Sequence, residues 1–216
     1  MESADRNTAF ATLSGFARRS RAAVERCELC SAPLGHNHPH LVEPASRKLV
    51  CACEPCAILF SSSDGKYKRV PQRIRQLANF RMSDAQWDSL MIPINMAFFF
   101  HSTPAGKVLS LYPSPAGPTE SLLSFDSWSE IEDQNLILKE MQADVEALLV
   151  NRVARANEGD LHEYFLAPID ECYKLTGLIR AYWRGLSGGS EVWVEIKRFF
   201  AELKERADLI SGEQHA

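Results

Sequence analysis

Apolar residues recur at two different periods along the chain. Phe10, Leu13, Phe16, Ala17 and Val24 follow a helical spacing with arginines between them, predicting a modest amphipathic helix ahead of the first cysteine. "HLVEP" and "RKLVCA" read as two short strands joined across "AS", and "AILF" after Cys56 as the start of a helix. The polar stretch "SSSDGKYKRVP" closes this region, with Asp64-Gly65 as its turn. In "MSDAQWDSL", Ser83 and Gln86 form a capping box, Trp87 and Leu90 line one face of a short helix, and Pro93 stops it.

Strand-like runs then take over. "NMAFFFH" and "KVLSLY" predict a hairpin across the loop holding Pro104 and Gly106, "SLLSF" (residues 121 to 125) a third strand, and "VEALLVNRV" and "HEYFLAP" two more on either side of the breaker-rich "ANEGDL". Ser127 and Glu130 form a second capping box, for a helix expected to run to Gln142. Two helices finish the chain. One has Cys172, Leu175, Ile179, Tyr182 and Leu186 as its apolar stripe; the other, N-capped by Ser190, has Trp193, Ile196, Phe199, Phe200, Leu203 and Ile210. The expected class is α+β: an N-terminal amphipathic helix over residues 1–26, a four-cysteine module over 27–81, and an α+β domain over 82–216 with an antiparallel or mixed sheet and C-terminal helices.

The cysteines change the picture of the first half. Cys27-x2-Cys30 and Cys53-x2-Cys56 are two pairs with 22 residues between them. Each pair can wrap both sulfurs around one ion, because the tight turn aims backbone N–H groups at the thiolates, and two pairs complete a tetrahedron. The order knuckle, hairpin, then a helix carrying the last two ligands is that of a treble-clef zinc finger, with a zinc ribbon as the related alternative. Rubredoxin-like iron knuckles tend to place Gly after each pair, where this chain has Ser31 and Ala57, so zinc is favoured and iron is the alternative. A module of about 50 residues buries too little apolar surface to be secure alone. A closed four-sulfur site would stabilise it and would not activate water.

Cys51 is the surplus thiol. On an alternating strand it shares a face with Cys53, so it is either packing or an additional or swap ligand. His36, His38 and His40, in "HNHPH", read as solvated loop residues, with transient binding of a second metal such as nickel as the sharper alternative.

Composition narrows the class. With 216 residues, 45% hydrophobic and 24% charged, the chain suits one sizeable core plus a small module. Its longest apolar run, "MIPINMAFFF", covers ten residues, is interrupted by Pro93 and Asn95, and falls short of the roughly 18 a membrane span requires. No apolar segment follows Arg18-Arg19, so no export signal is expected. The cytoplasm is the expected compartment, where clustered cysteines are ligands rather than disulfides. Residues 1–81 hold 13 Lys/Arg against 7 Asp/Glu, and residues 82–216 hold 11 against 21. That split implies surfaces for different partners, or one half docking on the other.

Other constellations carry less. Lys66, Lys68, Arg69, Arg73 and Arg75 around Tyr67 are the basic flank of a nucleic-acid-binding finger, but the net charge of −4 and the sparse aromatics make a solvated or protein-docking surface the better reading. "YPSPAGPTES" reads as a stiff loop, and Ser114, Glu120 and His101 lack a nucleophile-elbow pattern that would make them a hydrolase site. "RGLSGGSE" places glycines before a helix start without the lysine of a phosphate loop, and isolated Cys172 reads as a core thiol.

The strings "CELC", "LVCACEPCAILF", "MAFFFHS", "LYPSPAGPTES", "ALLVNR", "CYKLTGLIRAYWRGLSGG" and "EVWVEIKRFF" together resemble a bacterial family known only as a domain of unknown function, over about Arg26 to Arg206. Genes of that family are often found within operons of high-affinity, oxygen-tolerant uptake nickel–iron hydrogenases. The resemblance places Cys27, Cys30, Cys51, Cys53 and Cys56 in the family's cysteine pattern. It implies a setting of hydrogenase assembly, maturation or electron transfer, with a hydrogenase subunit or maturation protein as partner. It transfers no catalytic residue. The expected function is a non-enzymatic accessory protein with a structural zinc; the alternatives are a rubredoxin-like iron electron carrier and a zinc-finger nucleic-acid-binding regulator.

Overall fold

Two sheets of unequal size organise the chain in the computed structural model, which describes residues 25–61, 65–121, 125–153, 162–185 and 187–210. The helix expected over residues 8–24 lies outside the described residues. The small sheet has the order β2-β1-β3, from β1 (His40–Glu43), β2 (Lys48–Cys51) and β3 (Lys68–Arg69), all antiparallel. β1 and β2 are the expected hairpin, in register His40↔Cys51 and Leu41↔Val50. Helix α1 (Glu54–Phe60) follows directly.

The large sheet has seven strands in the order β10-β4-β9-β8-β5-β6-β7. These are β4 (Arg75–Leu77), β5 (Met96–Ser102), β6 (Lys107–Ser114), β7 (Gly117–Ser121), β8 (Glu146–Asn151), β9 (Glu163–Pro168) and β10 (Asp208–Ile210). Only the β10–β4 pair is parallel. The helices are α2 (Asp84–Ser89), α3 (Phe125–Gln134), α4 (Ile169–Tyr182) and α5 (Gly189–Glu205), with a 3-10 turn at Leu136–Glu140. The class is α+β, as the sequence predicts.

Both faces of the large sheet are covered, which is why the runs MAFFF of β5 and ALLV of β8 are apolar without alternation. Phe98, Phe100, Leu149 and Phe165 pack with Leu175, Ile179, Ile196 and Phe200 of α4 and α5. Phe99, Leu148, Val150 and Leu166 point the other way, into Trp87, Trp128, Ile131 and Leu138. Each such side chain removed from water contributes roughly 1.5–3 kcal/mol. Val42 and Val70 of the small-sheet region join the first of these clusters, so the two sheets share a core.

Charges complete the seam. Lys68 Nζ meets Asp144 Oδ2 at 2.6 Å, Arg73 meets Glu146 at 3.3 Å, and Arg75 meets Glu140 at 2.9 Å. Part of the basic excess of the first half thus faces the acidic second half. Lys66 and Arg69 likewise have carboxylate partners, Glu43 at 3.1 Å and Glu54 at 2.6 Å.

Several local expectations shift. The strand after β6 is β7, from the proline-rich segment, while the strand expected over residues 121–125 falls largely outside the described residues. Pro113 and Pro118 lie opposite each other where β6 extends beyond its pairing with β5, so neither proline removes a central ladder bond. Helix α3 starts at Phe125, before the expected cap at Ser127, and ends at Gln134 rather than Gln142. It ends there because buried Asn135 turns its amide onto Arg81, accepting from Arg81 N and donating to Arg81 O at 2.8 Å each. The N-cap of α5 is Gly188 at φ 86°, not Ser190; a Cβ there would meet Val192 and Trp183 at 3.0–3.1 Å. Trp193 is 36% exposed, and Ile210 belongs to β10. The Ser83–Gln86 capping box forms in full, with Trp87 and Leu90 buried behind it.

Candidate metal centre

The first cysteine pair sits in a tight turn. Ser31 N donates to Cys27 O at 2.7 Å and Cys27 N donates to Ala32 O at 2.8 Å, while Ser31 takes the left-handed φ of 64°. The second pair is set by α1. Cys53 is the N-cap in an extended conformation, Pro55 occupies the first turn where its missing N–H costs nothing, and Cys56 lies in that same turn. The hairpin between the pairs folds one knuckle onto the other, with Glu28 N donating to Cys51 O at 2.9 Å and Glu28 Oε2 accepting from Cys51 N at 2.8 Å.

The result brings the sulfurs of Cys27, Cys30, Cys53 and Cys56 within 4.8 Å of one another. Cys30 Sγ and Cys53 Sγ are 3.6 Å apart. Cys27 and Cys56 are buried, Cys53 is half-buried and Cys30 is exposed, so the cluster lies at the surface with its base in the small core.

Burial opposes ionisation of Cys27, but N–H groups of Cys53, Leu29 and Cys30 aimed at its sulfur prevail and lower its pKa to about 6. Burial, then the neighbouring thiols of Cys53, Cys30 and Cys27, push Cys56 up. At Cys30 the Ala32 N–H favours the thiolate, yet the Cys27 and Cys53 side chains raise its pKa on balance. A cation relieves the resistance to ionisation that Cys30 and Cys56 meet beside their neighbours, and the four cysteines can hold a metal ion.

Cys51 lies outside that cluster. Its sulfur and a ring nitrogen each of His38 and His40 form a second group within 4.8 Å. Burial raises the pKa of Cys51. His36 is exposed and is a member of neither group. The pairing of Cys51 with two histidines depends on hairpin register, and an alternation argument that links Cys51 only to Cys53 misses it.

The remaining candidates do not assemble. Ser114 Oγ donates to Gly117 O at 2.8 Å within the β6–β7 turn, Glu120 pairs with Arg47 at 3.4 Å, and His101 pairs with Glu132 at 3.4 Å. Cys172 is fully buried on the inner face of α4, where burial pushes its thiol up. Among the described residues no helix is long and apolar enough to cross a membrane.

Fold and cluster together define an α+β protein with a treble-clef-like module able to hold a metal. The chain belongs to the DUF5947 family, described as a family of unknown function, whose model matches residues 26–207. No curated protein and no solved structure matches it.

Proposed function

We propose that the protein is a non-enzymatic docking protein whose four-cysteine cluster, Cys27, Cys30, Cys53 and Cys56, holds a structural zinc, and that it assists assembly or maturation of a nickel–iron hydrogenase. The observation that carries the docking role is the short helix α1. Its first turn supplies two of the four thiols, while its far end exposes Ile58, Leu59 and Phe60 at 67%, 71% and 41%. Three consecutive exposed apolar residues on a metal-braced helix are a protein-binding feature. Four thiolates also fill a tetrahedral shell and leave no position for water. The knuckle residues Ser31 and Ala57 favour zinc over rubredoxin-like iron, and the hydrogenase setting rests on the resemblance of the sequence strings. The cations Lys66, Lys68, Arg69, Arg73 and Arg75 have carboxylate partners within the chain, which argues against nucleic acid as their target.

Affinity capture from cells expressing a nickel–iron hydrogenase tests the reading. The wild-type protein should be colourless with zinc at the four cysteines, and should recover a hydrogenase subunit or maturation protein; Ile58→Asp/Leu59→Asp should keep the zinc and lose the partner. Zinc-loaded wild type that recovers neither class of protein would overturn the hydrogenase role. A red, iron-containing protein would overturn the zinc assignment in favour of an electron carrier.

A further inference from the structure

The group beside the four-cysteine cluster has the construction of a metal site in its own right. Cys51 stands opposite His40 in the β1–β2 register, so both side chains leave the same face of the hairpin, and His38, two residues before His40, brings a ring nitrogen within 4.8 Å of them. The ring nitrogens are already sorted. His38 Nδ1 lies 2.9 Å from Gly35 O, and a carbonyl can only accept, so Nδ1 carries the proton and Nε2 keeps its lone pair. His40 Nδ1 lies 2.7 Å from Asp170 Oδ2, and the carboxylate fixes the same tautomer there.

His38 makes the case sharper. Its side chain is 8% exposed, and its Nε2 is buried without a hydrogen-bond partner. A buried imidazole nitrogen normally finds a partner, and the His38 ring is grouped with the second imidazole and a thiol. The Asp170–His40 contact is the outer-shell arrangement that orients ligating histidines. Asp170 lies in the first turn of α4, so the contact also ties the small sheet to the large domain.

We propose that His38, His40 and Cys51 form a second metal site, separate from the four-cysteine cluster, for a first-row transition-metal dication. Two imidazoles and one thiolate suit zinc, cobalt or nickel better than magnesium or calcium. Three protein ligands leave a tetrahedral position open. His38 and His40 also line a cleft of about 590 Å³ that Asp170, Glu171, Lys174 and Arg206 share, so solvent reaches the edge of the site.

The site is independent of the docking role and is tested on the full chain with its four-cysteine cluster already loaded with zinc. Cobalt(II), then nickel(II), is titrated in, and bound equivalents are counted alongside the thiolate-to-metal charge-transfer band. One further equivalent should bind with such a band. Cys51→Ser should abolish the band while the first zinc stays, His38→Ala or His40→Ala should weaken binding at least 100-fold, and azide should shift the cobalt ligand-field bands. Asp170→Asn leaves every ligand in place and should weaken binding about 10- to 100-fold through His40 orientation. The melting temperature and the retained first zinc identify variants that remain folded. Absence of a further equivalent, or one that binds without a thiolate band or unchanged in Cys51→Ser, overturns the site. An unchanged affinity in Asp170→Asn overturns the positioning role of Asp170, and spectra indifferent to azide overturn the open position.

Discussion

Around the large sheet, Phe98, Phe99, Phe165, Leu148, Leu149 and Leu166 are wholly buried, with helices over both faces. Around the small sheet, the separate buried set is Cys27, Leu41, Val50, Ala52, Cys56 and Ala57, two of them thiols of the four-cysteine cluster and two alanines. One region is held by apolar area, and the other lacks enough of it. The knuckles are therefore not an ornament on a stable hairpin; an ion held between them would supply the missing core. The difference separates what each region should tolerate.

Metal removal should break the comparison most strongly. Structural metal binding in small modules of this kind is worth on the order of 10 kcal/mol. After chelation, hydrogen exchange should show the amides of β1, β2 and α1 losing protection while those of β5, β8 and β9 stay slow. Equal protection in metal-free and metal-loaded protein would mean that Val42 and Val70, through the shared core, hold the module without the ion.

The converse change is Phe98→Ala. Phe98 is fully buried between β5 and the α4–α5 layer, and truncation there should cost about 3–5 kcal/mol. The loss should appear as a lower denaturant midpoint for the whole chain, with an unchanged metal content in the folded fraction. A loss of metal at denaturant concentrations where the large sheet is intact would show instead that the module depends on the domain more than on its ligands.

The two regions also differed in how legible they were. Patterns confined to a few neighbouring residues translated directly: the Ser83–Gln86 capping box, the β5–β6 hairpin, and the two Cys-x2-Cys turns. β3, β4 and β10 are two or three residues long, too short to carry a period, and exist because a distant strand offers its edge. β4 pairs with β9, about ninety residues away in sequence, and with β10, farther still, and no local signal announces that. The grouping of Cys51 with His38 and His40 was hidden for a related reason. It needs the register His40↔Cys51, which the turn at residues 44–47 sets and composition does not.

The seam between the regions gives a smaller effect. Arg75 is 5% exposed and lies against Glu140 at 2.9 Å and the fully buried Glu146 at 3.8 Å. Arg75→Ala leaves Glu146 with Arg73 and the Gln142 N–H only, and should destabilise by about 3 kcal/mol, near the lower end for a buried pair broken from one side. Urea unfolding measures it. A cost below about 1 kcal/mol, on the scale of an exposed pair, would mean that Arg73 alone neutralises Glu146 and that the seam relies on Val42 and Val70.

The smallest change acts within the first knuckle and sharpens the claim that the module is held by its ligand turns. Ser31 sits at φ 64°, where an L residue pays roughly 1 kcal/mol, and its backbone, not its side chain, makes the contacts: N to Cys27 O at 2.7 Å, and O from Arg26 Nη1 at 3.0 Å. Glycine keeps both contacts and removes the Cβ clash, but it frees the unfolded chain, which returns part of the gain. Ser31→Gly should therefore stabilise the metal-bound module by only about 0.5 kcal/mol, close to a twofold gain in metal affinity in a chelator competition. Ser31→Ala retains the Cβ and should gain nothing, so the difference between the two substitutions isolates the backbone. If alanine and glycine behave alike, the turn is not strained at Ser31, and the rigidity of the knuckle comes from the thiolate hydrogen bonds alone.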